Sequence, residues 1–316
     1  MRSIWKPEIC HGISHSRFEG WYYKLVDQKR KKAIAIIPGF SSADPSHAFI
    51  QLFNGITGDY QYNKFSLNDF LYSKNKFEVE IENNYFSTDM IKIDLRGQEQ
   101  VVKGELRFKN QVPWPIKFLT PGAMGPFAFL PRMECSHAVL SFDHDIYGHL
   151  NINGEKFSFD HGKGYIEKDW GNSFPSGYVW MQSNHFREQR VSFMASIARI
   201  PYLGRSFTGF LAGFLYKDKL YLFSSYNRAK LKDLNINNNQ VSFKLMKKKQ
   251  IIEIDAFQAK PSQLKSPIKG KMIGKVLESL TSKINLRFID SKKKFEFNEV
   301  GNVSGMEIMA KEEDLL

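Results

Sequence analysis

Apolar and polar residues alternate in short runs along much of this chain, with a period of two. The runs 21–26, 33–37, 77–81, 91–95, 101–108, 179–186, 191–197, 241–245 and 251–257 are rich in β-branched and aromatic residues and bounded by Gly, Asn, Asp or Lys. Successive side chains of a strand point to opposite faces, so this pattern predicts short strands joined by turns. Asn153-Gly154, directly after Leu150-Asn151-Ile152, predicts a two-residue hairpin turn with positive φ at both positions. Helical periodicity is scarce: a short helix is expected over 271–280 and a weaker one over 66–72. Crossover helices are absent, which argues against a parallel sheet. The expected class is all-β, made of antiparallel barrels or sandwiches with few short helices.

The two halves of the chain share a pattern. Glu19-Gly20-Trp21 leads into a strand, a hairpin and Ile36-Ile37-Pro38; Glu167-Lys168-Asp169-Trp170 leads into a strand, a hairpin and Arg199-Ile200-Pro201. The apolar run 49–53 then parallels 210–214, and the hairpins over 77–95 and 241–257 end on Ile93-Asp94 and Ile254-Asp255. A duplication with loops of unequal length predicts two barrel-like domains, 1–160 and 161–316, each of ordinary domain size.

Composition narrows the function classes. The 27 Phe and 13 Tyr suit strands and apolar pockets. Lys and Arg number 45 against 33 Asp and Glu, a net charge of +12. Such a balance fits nucleic acid, an anionic membrane surface or plain solubility. The lysine clusters 247–249 and 292–294 fall where solvated hairpin tips are expected, and no nucleic-acid-binding signature is present, so no nucleic acid partner is expected. Cys10 and Cys135 match no metal spacing and are too few for a disulfide scaffold, so a reducing, cytoplasmic compartment is expected. Residues 1–10 lack the apolar core of a signal peptide, and the longest apolar stretch, 207–216, is interrupted by Gly209 and Gly213. Any membrane contact is therefore expected to be peripheral, on anionic lipid.

Two segments carry candidate chemistry. The Gly- and Pro-broken loop 121–131 is strongly apolar, so Met124, Phe127 and Phe129 are expected either to wall a pocket or to plug the core. Further on, an extended chain over 165–170 puts Tyr165, Glu167 and Asp169 on one face and Ile166, Lys168 and Trp170 on the other. A phenol and two acids facing a dry cavity would raise a carboxyl pKa toward that of a useful general acid. The competing expectation is a structural salt bridge to Arg17, Lys24 or Arg187. His137, His144, His149 and His161 form a loose cluster without zinc-like spacing, so no metal site is expected. Phosphate loops, nucleophile elbows and dinucleotide fingerprints are absent; Gly162-Lys163-Gly164 lacks a third glycine and a following helix.

The segment Tyr165-Ile-Glu167-Lys168-Asp169-Trp170-Gly171, followed by Phe174-Pro175 and by Tyr178-x-Trp180-x-Gln182-x-Asn184-x-Phe186, resembles the central motif of the tocopherol cyclase family. Phe18-Glu19-Gly20-Trp21-Tyr22 is similar to that family's opening motif. Asp169 stands where the family has Asn, and Tyr178 where it has Trp. The resemblance implies two lipocalin-like β-barrels packed together, a kinship with carotenoid 1,2-hydratases, and no metal or organic cofactor. It also implies protonation of a prenyl double bond on a hydrophobic substrate, then ring closure or hydration. Glu167 falls on the hydratases' proton-donating Asp, with Tyr165 and Asp169 beside it in the motif. Glu19, Trp21, Trp170, Phe174, Trp180, Gln182 and Asn184, with the loop residues Met124, Phe127 and Phe129, are then expected to bind substrate, the tryptophans stabilising a cation through their π faces. A non-catalytic lipocalin-like lipid carrier is the alternative, and a barrel that only mediates protein association a third reading.

Overall fold

The structure is a computed structural model that describes residues 4–97, 100–131, 133–202 and 204–315. Its contacts divide the chain into two compact units: residues 1–174 with 263–275, and residues 175–262 with 276–316.

The first unit is one antiparallel sheet. In chain order its strands are β1 (Phe18–Val26), β2 (Ala33–Ser41), β3 (His47–Asn54), β4 (Tyr60–Phe65), β5 (Phe70–Tyr72), β6 (Glu78–Ile81), β7 (Asn84–Ser87), β8 (Met90–Arg96), β9 (Val101–Lys109), β10 (Cys135–Ile152), β11 (Glu155–Ser158) and β12 (Gly162–Gly171). Their spatial order is β4-β3-β2-β1-β12-β10-β9-β8-β7-β6-β5, with β11 paired to β10. The sheet rolls around its own core: Phe40 on β2 meets Phe70 on the far terminal strand β5 at 5.2 Å between ring centroids. One apolar cluster accordingly collects Trp21, Tyr23, Ile50, Val79, Ile93, Leu106 and Ile166. Asn153 and Gly154 both take positive φ between β10 and β11, as the hairpin signal predicts.

A second sheet repeats the plan with β13 (Tyr178–Ser183), β14 (Val191–Tyr202), β15 (Arg205–Tyr216), β16 (Lys219–Ser224), β17 (Lys230–Asn237), β18 (Gln240–Lys247), β19 (Gln250–Phe257), β20 (Ser262–Ile268), β21 (Lys271–Asp290) and β22 (Phe295–Ile308), of which residues 263–275 are assigned to the first unit. The order is β16-β15-β14-β13-β22-β21-β19-β18-β17, with β20 paired to β21. In both sheets a four-strand meander is joined, through its first strand, to the last long strand of the sheet. This sheet also curls: Lys247 Nζ on β18 donates to the Leu222 carbonyl on β16 at 2.8 Å, and Tyr221 meets Phe288 at 4.6 Å. Among the described residues no ladder joins β4 to β5 or β16 to β17, so neither roll is closed by backbone hydrogen bonds. The architecture is all-β.

The strand β12, which carries the acidic motif, lies between β1 and β10 and completes the first sheet. The part of the second half that repeats the first begins at β13.

The helix expected over 271–280 is instead the start of β21. Met272, Val276 and Leu280 are buried there, while Ile273 and Leu277 are 65% and 43% exposed, a period of two. Alternation of buried and exposed side chains is the strand period, not the helical one. Over 66–72 a single 3₁₀ turn, Leu67–Asp69, capped by the Ser66 hydroxyl, runs into β5. Among the described residues no helix is long and apolar enough to cross a membrane.

Candidate active site

β12 is hydrogen-bonded on both sides. Glu167 lies opposite Tyr22 of β1 and Val139 of β10, and Asp169 opposite Gly20 and His137. Directly paired residues share a face. Tyr22, Lys24, Tyr165, Glu167, Asp169, His137 and Val139 therefore occupy one face of the sheet. Glu19, Trp21, Ile166, Lys168 and Trp170 occupy the other, toward the core of the roll.

On the first face four polar groups interlock. The Tyr165 hydroxyl donates to Glu167 Oε2 at 2.6 Å. His137 Nδ1 lies 2.9 Å from Asp169 Oδ1, and His137 Nε2 lies 3.7 Å from Glu167 Oε2. Tyr165 is fully buried and Glu167 is 6% exposed. Burial pulls the His137 imidazole toward neutrality, but the Asp169 and Glu167 carboxylates outweigh it and push its pKa up to about 9. A pKa of about 9 keeps His137 protonated near neutral pH, with a carboxylate on either side. Burial pushes the nearby Cys135 thiol up, which favours its protonated form.

The ligand atoms of His137, Glu167 and Asp169 lie within 4.8 Å of one another, a spacing that could hold a metal ion. The imidazole, however, turns a different nitrogen to each carboxylate. A metal set directs one nitrogen and both carboxylates at a single point. In this arrangement Nδ1 is within hydrogen-bond reach of Asp169, while the buried Nε2 faces Glu167 from beyond that reach.

The opposite face holds a second buried charge pair with a different character. Lys168 Nζ lies 2.8 Å from Glu19 Oε2, both side chains being fully buried. The ammonium also donates to the Ile9 carbonyl at 2.6 Å and sits 3.0 Å from His11 Nδ1, with the rings of Trp21 and Trp170 at 4.8 and 4.7 Å. Both Glu19 oxygens accept from the His11 backbone N–H at 3.0 Å. Burial would raise the Glu19 pKa, but Lys168 and His11 hold it below the usual carboxylate range. This is an anchor for residues 8–11, since Trp21 Nε1 also donates to the Glu8 carbonyl.

The sequence-derived site residues therefore separate. Tyr165, Glu167 and Asp169 come together. Glu19, Trp21 and Trp170 lie on the other face of the sheet, where Trp21 stacks on Phe77 and the cation their rings meet is the protein's own Lys168. The parity of β1 and β12 turns them away from Glu167, so they do not adjoin the acidic cluster. Phe174 packs edge-on against Phe18 at 5.7 Å. The loop 121–131 divides: residues 121–125 are mostly buried with Met124 half-buried, whereas Phe127 is half-buried and Phe129 is 47% exposed against Trp5. Phe129 thus lies at the surface. Trp180, Gln182 and Asn184 belong to the second unit, where they are buried on or just after β13; Trp180 and Gln182 alternate with the core residues Val179 and Met181.

His137 is the site residue that the motif did not reveal. It lies far upstream of Asp169 in sequence, and only the β10–β12 register brings the two together.

The tocopherol cyclase-like family profile matches residues 52–308, which run from the end of β3 to the end of β22 and include the whole acidic cluster. This chain belongs to the tocopherol cyclase-like family. No curated protein sequence matches the chain. Among solved structures, a protein assigned provisionally as AttH from Nitrosomonas europaea shares 12% identity, with 94% of each chain covered and a TM-score of 0.56. CghA shares 7% identity over 94% of this chain and 89% of its own, with a TM-score of 0.57, and its structure with Sch210972 gives 8% and 0.56 at the same coverage. At such identities the likeness shows a shared fold; in this tocopherol cyclase-like chain, chemistry has to be argued from its own residues.

Proposed function

We propose that this member of the tocopherol cyclase-like family is a general-acid enzyme that protonates a double bond of a hydrophobic, prenyl-type substrate and closes a ring or adds water. The observation that carries the reading is the Tyr165–Glu167–His137–Asp169 cluster, with His137 held protonated between two carboxylates on a largely buried face. Approach of His137 Nε2 to Glu167 Oε2, now 3.7 Å, passes the proton to the carboxylate. The resulting acid delivers it to one alkene carbon. For ring closure a substrate hydroxyl oxygen bonds to the other carbon and its proton returns to the cluster; for hydration, water plays that part. Bonds and charges balance, and the protein is restored. Tyr165 orients the Glu167 carboxylate and Asp169 orients His137.

The test begins with organic extraction of the purified protein and mass spectrometry of the recovered lipid, which supplies the substrate class. Turnover in heavy water should then place one solvent deuterium on carbon in the product. Glu167→Gln keeps the shape but cannot carry the proton, and should cost about 10²–10⁴-fold in rate. Release of the bound lipid unchanged by wild type under every condition would support the lipid-carrier reading instead.

A further inference from the structure

The segment 111–131 contains no Asp or Glu, and its midpoint forms an unusual turn. Lys117 and Thr120 exchange backbone hydrogen bonds at 3.1 Å, making a tight two-residue turn. Its tip is Phe118-Leu119, 76% and 70% exposed. Tight turns facing water are normally tipped with Gly, Asn or Asp. Here two large apolar side chains stand at the point where a solvated turn would place polar ones.

The tip is part of a larger apolar crest. Trp5, 42% exposed, stacks on Phe118 at 5.9 Å and meets Phe129, 47% exposed, edge-on at 6.2 Å. Ile116 adds a further side chain, 45% exposed. The Trp5 indole N–H donates to the Phe118 carbonyl at 3.2 Å, so the ring can enter an apolar medium without an unpaired donor. Cations flank the crest. Lys117 lies in the turn and Lys6 follows Trp5; the Lys6 ammonium donates to the Asn75 carbonyl at 3.1 Å, and the exposed Lys74 precedes Asn75 in the chain.

We infer that this crest is a docking surface for an anionic lipid bilayer, with Trp5, Ile116, Phe118, Leu119 and Phe129 inserted at the interface and Lys6, Lys74 and Lys117 against the headgroups. Aromatic and aliphatic side chains bordered by lysines, with no carboxylate in 111–131, match the chemistry of that boundary, and the net charge of +12 acts in the same sense. The crest also adjoins the acidic cluster through the chain. Just before the turn, the Trp114 N–H donates to the Val139 carbonyl at 3.2 Å, and Val139 is the ladder partner of Glu167. A substrate dissolved in the bilayer would be met by the loop that leads to the acid.

The full chain is sedimented with vesicles of phosphatidylglycerol and phosphatidylcholine, and with pure phosphatidylcholine vesicles. Wild type should bind the anionic vesicles and weaken as salt rises. The double substitution Phe118→Asp, Leu119→Asp should lose about tenfold or more in partitioning, with circular dichroism and melting temperature unchanged because both sites are exposed. Trp5→Phe should remove fluorescence quenching by brominated lipid. Three results would overturn the inference. Wild type could fail to bind anionic vesicles, or the double variant could bind as wild type does. The third is sedimentation equilibrium showing a wild-type dimer that the double variant breaks, which assigns the crest to a second copy. None depends on catalysis, so this inference can fail while the acid cluster stands.

Discussion

A carboxylate and an imidazole 3.7 Å apart behave differently from a carboxylate clamped by arginine, because histidine can give up its proton. Losing the Tyr165 hydroxyl removes only one donor to Glu167, so Tyr165→Phe should slow turnover less than Glu167→Gln, measured on the lipid recovered by extraction. Glu167→Asp should retain partial activity, since it shortens the acid without removing it. The pH dependence follows from His137. Its pKa is raised to about 9 in the fold, above its ordinary value, so the bridge contributes stability fully below pH about 6.5. That contribution is lost as pH rises through about 9, and activity should fall over the same range. Lys168 poses the contrasting case. Lys168→Met leaves the buried Glu19 carboxylate without its ammonium, and breaking such a pair costs about 3–5 kcal/mol. Chemical denaturation should show this loss, and the additional change Glu19→Gln should restore part of it.

β12 decides which residues can cooperate, and its alternation was legible in the sequence. Tyr165, Glu167 and Asp169 were assigned to one face from spacing alone, and the ladder places them there. Register was not legible. Spacing within β12 says nothing about which residue of β10 stands opposite, so His137 stayed hidden among four histidines. Trp170, by contrast, falls on the face opposite Glu167 by the same alternation, whereas the side on which Trp21 of β1 lies is fixed by its pairing with Lys168. At β21 the failure was one of period. Ile273→Ser should change stability by less than about 0.5 kcal/mol because its side chain is exposed, whereas Leu280→Ala should cost about 2–5 kcal/mol. A helical 271–280 would not single out this pattern, and urea melts of the two variants check it. Gly164 is fixed by packing: a Cβ there would lie 2.0 Å from the His144 imidazole, so Gly164→Ala should lower the melting temperature.

Across the whole molecule the repeated strand order explains how much of the fold could be read in advance. Alternation, hairpin turns and the doubled motif pointed to an all-β chain with two similar sheets, and the tocopherol cyclase-like family match agrees. The returning segment 263–275 was not foreseeable. Its place in the first unit rests on long-range bonds, such as that from the Lys265 N–H to the Tyr60 hydroxyl at 3.0 Å, which leave no periodic trace. The proton store in the first unit is the claim on which the functional account depends. It can be measured without any substrate, by following the His137 imidazole resonances against pH by NMR, with His137→Asn for assignment. The account predicts a midpoint near 9 in wild type, falling in Asp169→Asn and in Glu167→Gln as each carboxylate is removed. A midpoint at or below about 6.5, unmoved by either substitution, would contradict it.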